Sequence, residues 1–282
     1  MSKLLRARFR RCFKSLIFWL SLVASVILGF LSGVRVKEDY TLDDIYIIAG
    51  FLIYAILLSL MIGREFGDGG FRNKIISGHM KGRIFFSEYI VSIVICLMLC
   101  MVSASIFALF NFSLFGRIPT ELLLKSIAGF ALLIVSMVTI IASVCLLIQY
   151  RAVMAIVAIL LVLVSYMVSY TIKSELNNPE FVKKVEFVDG KPTITEETLE
   201  KNPSYVDSPL REQYIFVMHV LPHGQILEYM DMVEPLFDPI TINLSVAEED
   251  AKTLNVLPFY SVGTILTFSL FGFVLFRKKA IK

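Results

Sequence analysis

Charged side chains are scarce in this sequence, and long stretches contain none. Only 18% of its 282 residues are charged, whereas soluble domains carry roughly 25%. Because about 20 helical residues cross a hydrocarbon core of ~30 Å, long uncharged apolar runs predict membrane-spanning helices and argue against a soluble α-helical protein. Six such runs, each of 19 residues or more, cover residues 15–34, 45–63, 89–116, 126–150, 152–172 and 253–276.

Cysteine is also rare, and its distribution excludes a disulfide framework for the largest polar stretch. The chain has four cysteines, and none lies within residues 173–252. Cys96 and Cys100 are four residues apart and would share one face of a helix. We interpret them as small packing residues in preference to redox or metal-binding groups.

Motifs for enzymatic chemistry are missing as well. The sequence has no G-x-x-x-x-G-K-[ST] loop with which it would cradle ATP phosphates itself. His219 and His223 have the spacing of two metal ligands on a helix, but Pro222 would disrupt that helix and no H-E-x-x-H motif is present. A membrane-embedded carboxylate protease would need its acidic residues within the spans. Glu196 and Glu197 lie outside the predicted spans and do not meet this requirement. We therefore expect no catalytic residue, metal or cofactor in this chain.

Charges inside the predicted spans would indicate an ion path, and they are nearly absent. Only Glu88 and Lys125 come close to a span. Both are predicted to lie near helix ends, where long side chains can reach the membrane surface. Proton- or sodium-coupled transport therefore has little support.

Basic residues are concentrated in four segments that would lie on one side of the membrane. These are the N-terminus, the link between spans two and three, Arg151, and the C-terminal tail, which together hold 16 lysines and arginines. Residues 173–252 instead carry 16 acidic and 7 basic side chains. Since cytoplasmic loops collect lysine and arginine, we predict a multi-pass protein with both termini in the cytosol. Its basic face would meet membrane lipid, and such short membrane-proximal segments argue against nucleic-acid binding.

The order of these segments predicts an all-α membrane protein with six transmembrane helices. Residues 1–172 would form the membrane domain, with an N-terminal interfacial helix and spans one to five. Residues 173–252 would form a small α+β extracellular segment, and residues 253–282 the sixth span and a cytosolic tail. Within 173–252, Asp189-Gly190 predicts a β-hairpin between 186–188 and 191–194. Two short helices are predicted at 211–220, stopped by Pro222 and Gly224, and at 225–233.

The first residues, 3–14, predict a helix that lies on the membrane surface. Apolar Leu5, Phe9, Cys12 and Phe13 recur on one face, and basic residues line another. A disordered basic leader that only sets topology remains the alternative. The residues predicted to contact the membrane interface are Lys3, Arg6, Phe9, Arg10 and Phe13.

The polar link between spans two and three, residues 64–88, is predicted to contain a short helix between glycine bends within residues 64–83. We interpret three apolar residues, Phe71, Ile75 and Ile76, as an apolar grip, that is, a contact surface for another protein. Arg72 and Lys74 lie beside it in the sequence. A solvated basic loop that merely fixes topology is equally compatible with the composition.

The same run resembles the cytosolic element of ABC-2 type transporter permeases, which often reads E-[FY]-x-x-G-T-[IV]-R-N-K and is followed by G-H-x-[RK]. Gly70 stands where that pattern has threonine, and Phe71 where it has isoleucine or valine. The pattern therefore does not predict how the helix is capped at position 70 or how the side chain at position 71 packs. The interfacial helix, the six spans and the large segment before the last span also fit. The segments 202–205 and 221–225 look like parts of the outer segment of Gram-positive bacterial members of this family. The matching residues are Glu65, Phe66, Gly69, Arg72, Asn73, Lys74, Gly78, His79 and Lys81.

This resemblance implies the permease subunit of an ATP-driven ABC exporter in a bacterial cytoplasmic membrane. ATP and Mg would be bound by a separate ATPase subunit, and a second, identical or homologous, permease chain would complete the dimer. The substrate would be amphipathic, either a peptide antimicrobial or a lipid-like compound. The alternative is a non-transporting membrane sensor or scaffold that binds a ligand through its extracellular segment. The resemblance assigns ATPase coupling to the coupling helix within 64–83, through Glu65, Phe66, Gly69, Phe71, Arg72, Asn73, Lys74, Ile75, Gly78 and His79.

Overall fold

The computed structural model describes residues 2–39, 44–115, 120–188, 191–233 and 246–280. Within these ranges, six helices are long and apolar enough to cross a membrane. The prediction of a multi-pass, mainly α-helical membrane protein is confirmed. The candidate spans are Leu16–Val36, Asp44–Gly67, Lys81–Phe110, Leu123–Leu147, Arg151–Leu176 and Asn255–Lys278.

Several helices continue beyond the apolar runs that predict them. The helix of the third span begins at Lys81, eight residues before the predicted span, and the last helix begins at Val246. Charged ends do not stop a helix where it leaves the lipid, because its backbone bonds are internal. In chain order the helices are α1 (Ser2–Phe13), α2 (Leu16–Asp39), α3 (Asp44–Gly67), α4 (Gly70–Ile76), α5 (Lys81–Phe110), α6 (Phe112–Phe115), α7 (Thr120–Leu147), α8 (Arg151–Leu176), α9 (Leu210–Val220), α10 (Pro222–Val233) and α11 (Val246–Lys278).

The bundle packs in neighbouring pairs: α2 lies against α5, α11 against α7, and α3 against α8. Small residues allow close approach, as is usual between helices in lipid. A Cβ on Gly29 of α2 would overlap the backbone of Ser103 in α5. Large apolar side chains such as Leu16 and Phe259 point outward, with 72% and 77% of their surfaces exposed. Such surfaces suit a lipid environment.

Two ends of the bundle differ in what covers them. Helices α1 and α4 lie at the end of the bundle where α3 finishes, which we call the α4 end. Helices α9 and α10 pack against α7, α8 and α11 at the opposite end, the α10 end. The two strands β1 (Phe181–Val188) and β2 (Lys191–Lys201) pair antiparallel, with an irregularity between Lys183 and Val185. The strands of the predicted hairpin are thus confirmed, and longer than expected, while its turn at 189–190 lies outside the described residues.

The prediction for the segment after α9 was wrong in one respect. Pro222 does not lie between two helices but is the first residue of α10, which therefore starts three residues earlier than expected. Proline is well tolerated in a first turn, because its missing N–H would have no intrahelical partner there. Gly224 also lies inside α10, where a Cβ would overlap the backbone of Met218. Leu221 alone, in an extended conformation, separates α9 from α10.

Candidate functional site

Helix α4, at the end of α3, is held between two glycines in left-handed conformations. The φ angles of Gly69 and Gly78 are 67° and 83°, a region that strains residues with a Cβ. At its C-terminus the N–H of Gly78 donates to the carbonyl of Ile75, and the N–H of His79 donates to that of Lys74. This pair of bonds is a Schellman motif. The predicted short helix between glycine bends is therefore confirmed.

Glycine at position 70 has a specific role in this arrangement. A Cβ on Gly70 would lie 2.5 Å from a carboxylate oxygen of Glu65. No side chain caps the start of α4, whose N-cap is Gly69. The departure from threonine at position 70 therefore leaves room for the Glu65 carboxylate.

The inner face of α4 is fixed to the bundle by Phe71. Its side chain is 1% exposed, and its ring centroid lies 4.3 Å from that of Phe66 and 6.0 Å from that of Phe276 on α11. The prediction that Phe71 forms part of an outward apolar grip is therefore wrong. Instead, Phe71 packs α4 against the end of α3 and against α11.

A buried ion cluster joins α4 to three other helices. Nη1 of Arg8 on α1 lies 2.8 Å from Oε1 of Glu65 on α3, and its Nε lies 2.6 Å from Oε2 of Glu88 on α5. Nζ of Lys74 on α4 lies 2.9 Å from Oε2 of Glu65 and 2.8 Å from Oε1 of Glu88. Arg11 adds a third cation, 2.9 Å from Oε1 of Glu65. This set is called the ion cluster below.

Burial makes the ion cluster sensitive to the loss of any one of its charges. The side chains of Arg8, Glu65 and Glu88 are 6%, 5% and 1% exposed. Removing one partner from a buried pair leaves an uncompensated charge, which is strongly destabilising. The prediction that Glu88 reaches the membrane surface is wrong, because Arg8 and Lys74 compensate its charge inside the protein.

The outer face of α4 is exposed and carries both charge and apolar surface. Arg72 and Asn73 are exposed. Ile76, the last residue of α4, and Met80, the N-cap of α5, expose 73% and 68% of their surfaces. A small surface that combines a guanidinium, an amide and two apolar side chains is typical of a contact with another protein. We call this set the α4 surface.

The residues predicted for coupling fall into two groups in the structure. Arg72, Asn73 and Gly78 face outward. The others contact the bundle or are partly covered: Glu65, Phe66, Phe71, Lys74, Ile75 and His79, with Gly69 at the helix start.

The predicted interfacial residues of α1 are separated in a similar way. Lys3, Arg6 and Arg10 are exposed, and Phe13 is 38% exposed. Phe9 is half-buried and packs against the core. The face of α1 that is fully turned toward the bundle consists of Leu4, Arg8 and Cys12.

Arg8 was missed by sequence reasoning, although a signal was present. It lies four residues after Leu4 and four before Cys12, on a single helical face. A charge on an otherwise apolar stripe needs a buried partner or must lie in water. The partners, Glu65 and Glu88, are distant in sequence, so the pattern alone could not supply them.

Two further contacts tie α8 and the C-terminal tail to the α4 end. Nε of Arg151 donates to the carbonyl of Gly63 at 2.9 Å, and its Nη2 lies 2.5 Å from Oδ1 of Asp68. Nζ of Lys279 donates to the carbonyl of Leu146 at 3.0 Å and lies 4.3 Å from the ring centroid of Phe66. Burial lowers the pKa of Lys279 to about 8.

An apolar cavity of about 410 Å³ lies between α2, α3, α5 and α7. Ile226 and Met230 of α10 line it at the α10 end, and the serines along its wall include Ser25, Ser103 and Ser126. A mostly apolar cavity with a few hydroxyl groups suits an amphipathic or hydrophobic compound.

Helix α10 is anchored to the spans beside this cavity. Nδ1 of His223 lies 3.1 Å from Oγ of Ser165 on α8, and its ring contacts that of Phe51 on α3, with centroids 5.2 Å apart. Burial lowers the pKa of His223 to about 4, so its ring is neutral at physiological pH. The hydroxyl of Ser261 on α11 donates to the side-chain oxygen of Gln225 at 2.6 Å.

The two histidines with metal-ligand spacing are not brought together. His219 lies on α9, 3.3 Å from a carboxylate oxygen of Glu228, whereas His223 belongs to α10. Across the part of the chain that the structure describes, no group of three or more histidine, cysteine or acidic residues could hold a metal ion.

Comparison with known proteins adds no relative of this chain. No family model matches it, and no match is found among curated proteins. Its function is therefore inferred from the α4 surface, the ion cluster and the cavity.

Proposed function

We propose that this chain is the permease subunit of an ATP-driven, ABC-2-like exporter of an amphipathic compound. The observation that carries the proposal is the two-faced character of α4. Its inner face is fixed to α3, α5 and α11 by Phe71 and Lys74, while the α4 surface is open to a partner. A short rigid helix of this kind can transmit the motion of a docked protein to the spans.

The proposed path of the motion runs through α3 and α5. Glu65 and Glu88, which hold Lys74, lie on these two helices. The other halves of the same helices line the cavity, through residues such as Phe51 and Phe107. A rigid helix carries a displacement along its length. Movement of α4 would therefore change the spacing of the cavity walls.

The partners follow from the same proposal. A separate ATPase subunit would bind ATP and Mg and dock on the α4 surface, and a second permease chain, identical or homologous, would pair with this one. The concentration of lysine and arginine at the α4 end supports a cytosolic location for it. We place residues 173–252 outside a bacterial cytoplasmic membrane.

The proposed substrate class rests on the cavity and on the charge of residues 173–252. The cavity wall is mostly apolar, with scattered serine hydroxyls. Residues 173–252 have an acidic excess, which would attract a cationic amphipathic molecule. A cationic peptide antimicrobial has this chemistry, and so does a lipid-like compound that carries a positive charge.

Substitution of Arg72 tests the docking of the ATPase. Arg72 is exposed on α4, so Arg72→Glu should leave the fold intact and reverse the charge that the partner meets. We expect the tagged wild-type chain to retain an ABC ATPase during purification from its native membranes. Arg72→Glu should lower the amount retained by about 10-fold or more, since reversed rim charges commonly change association.

Lys278→Glu is the matched control, because Lys278 is an exposed cation at the same end of the bundle. It should retain the ATPase at the wild-type level. Failure of the wild-type chain to retain any ATPase would contradict the proposal and favour the sensor or scaffold. Equal retention by the two variants would contradict the role of the α4 surface.

A further inference from the structure

A second concave site lies beside the ion cluster, between α1 and α4. It is a groove of about 650 Å³, and of the α4 surface only Asn73 also lines it. Its walls come from α1, the residues that follow α1, the end of α3, and α4. We call it the α1–α4 groove.

The α1–α4 groove is electropositive. Five basic side chains line it against two acidic ones. Both acids already have cationic partners, because Glu65 belongs to the ion cluster and Asp68 pairs with Arg151. The excess charge resides on the outer wall, where Lys14 and Arg64 are exposed. The basic lining residues are Arg8, Arg11, Lys14, Arg64 and Lys74.

A buried hydroxyl points to a ligand in this groove. Ser15 is 6% exposed and lines the groove, yet its Oγ has no hydrogen-bond partner in the structure. Leaving a buried hydroxyl unpaired is unfavourable, and native structures rarely do so. An oxygen of a bound anion would satisfy it.

The groove also adjoins the place where the first span enters the lipid. Ser15 directly precedes Leu16, the first residue of that span. Leu16 and Leu20 expose 72% and 60% of their surfaces. Trp19 is 52% exposed, and its indole N–H donates to the carbonyl of Phe13 at 2.9 Å. Tryptophan is enriched at the membrane–water boundary, so the groove lies at the level of lipid headgroups.

We propose that the α1–α4 groove binds the headgroup phosphate of an anionic phospholipid, with the acyl chains lying along α2. Cations in the groove contact the phosphate, the Ser15 hydroxyl donates to one of its oxygens, and the exposed leucines of α2 contact the chains. The bound lipid ties α1 to α4 at the position of the ion cluster. This assignment depends on neither the ATPase nor the transported substrate.

Lipid titration of the purified full-length chain in zwitterionic detergent tests the assignment. Short-chain phosphatidylglycerol and phosphatidylcholine are added separately, and bound lipid is counted by native mass spectrometry. We expect phosphatidylglycerol to bind at least about 10-fold more tightly, because each nearby basic residue favours anionic lipid. Lys14→Gln/Arg64→Gln should reduce this affinity by about 10-fold. Ser15→Ala should reduce it by a few-fold.

Lys3→Gln/Arg10→Gln is the matched control, because it removes two exposed cations of α1 that do not line the groove. Its affinity should stay within about twofold of the wild type, because surface charge falls off with distance. Equal losses in the two double variants would overturn the site in favour of diffuse attraction. Equal binding of the two lipids would overturn it as well. Displacement of phosphatidylglycerol by equimolar inorganic phosphate would assign the groove to a free anion.

Discussion

Replacing Glu88 with glutamine is expected to lower the free energy of unfolding by about 3–5 kcal/mol. The substitution keeps the shape of the side chain and removes its charge. Arg8 and Lys74 would then share one buried acid, Glu65, instead of two. Neither cation can reach bulk water easily, since their side chains are 6% and 14% exposed. Thermal or denaturant unfolding of the purified chain in detergent measures the loss of stability.

Glu121→Gln is the matched control for this experiment. Glu121 also pairs with a lysine, Lys125, at 2.9 Å, but its side chain is 81% exposed. Exposed pairs of this kind contribute little to stability, because water screens both charges. The double variant Arg8→Met/Glu88→Met should be less unstable than Glu88→Gln, because it leaves no unpaired buried charge. Similar losses for Glu88→Gln and Glu121→Gln would contradict the description of a buried ion cluster.

Replacing Phe71 with alanine should uncouple ATP hydrolysis from movement of the spans. Phe71→Ala leaves the exposed Arg72 and Ile76 available for docking, so a bound ATPase should still hydrolyse ATP. The ring that packs α4 against Phe66 and Phe276 would be lost. We expect the ATP-dependent shift between conformations of the spans to fall by about 10-fold, within the range of coupling energies known for such contacts.

Spin labels on α3 and α5, two of the helices that line the cavity, measure this shift without knowledge of the substrate. Ile45 on α3 and Leu109 on α5 are 66% and 77% exposed, so cysteines at these positions accept labels readily. In the wild-type complex the distance between the labels should change when ATP is added. In Phe71→Ala that change should be much smaller, because the Lys74 ion pairs then hold α4 without the ring of Phe71.

Phe85→Ala controls for a general loss of packing. Phe85 is fully buried on α5 and its ring contacts Phe276, so its removal should destabilise the bundle by a similar amount. Its ATP-dependent distance change should persist, because Phe71 still packs α4 against Phe66 and Phe276. A normal distance change in Phe71→Ala would contradict the proposed transmission through α4.

The six spans were predictable because lipid imposes a simple requirement on the sequence. Around 20 uncharged residues are needed for each crossing, and all six predicted runs overlap helices of the structure. The helix starts were less predictable. Lys81 begins α5 well before the apolar run, because composition marks the lipid boundary and not the end of hydrogen bonding.

The candidate site was predictable only in part. Gly69 and Gly78 identify the ends of α4, because glycine is the residue that adopts positive φ at low energetic cost. Which face of α4 points inward could not be read, since seven residues are too few for a helical period to emerge. Phe71 was therefore assigned to the wrong face. The ion cluster was missed because it joins Arg8 to Glu65, 57 positions away, and only tertiary packing brings them together.

We propose that the α4 surface is cytosolic and contacts an ATPase. Chemical cross-linking from Ile76→Cys in native membranes tests it most directly. Native cysteines give little background, because Cys12, Cys96 and Cys145 are buried and Cys100 is half-buried, and burial raises the pKa of the Cys12 thiol to about 11. We predict no labelling of Ile76→Cys by a membrane-impermeant maleimide added outside intact cells, and a cross-linked product with an ATPase inside them. Labelling from outside, or a cross-linker that yields no ATPase product, would contradict the account.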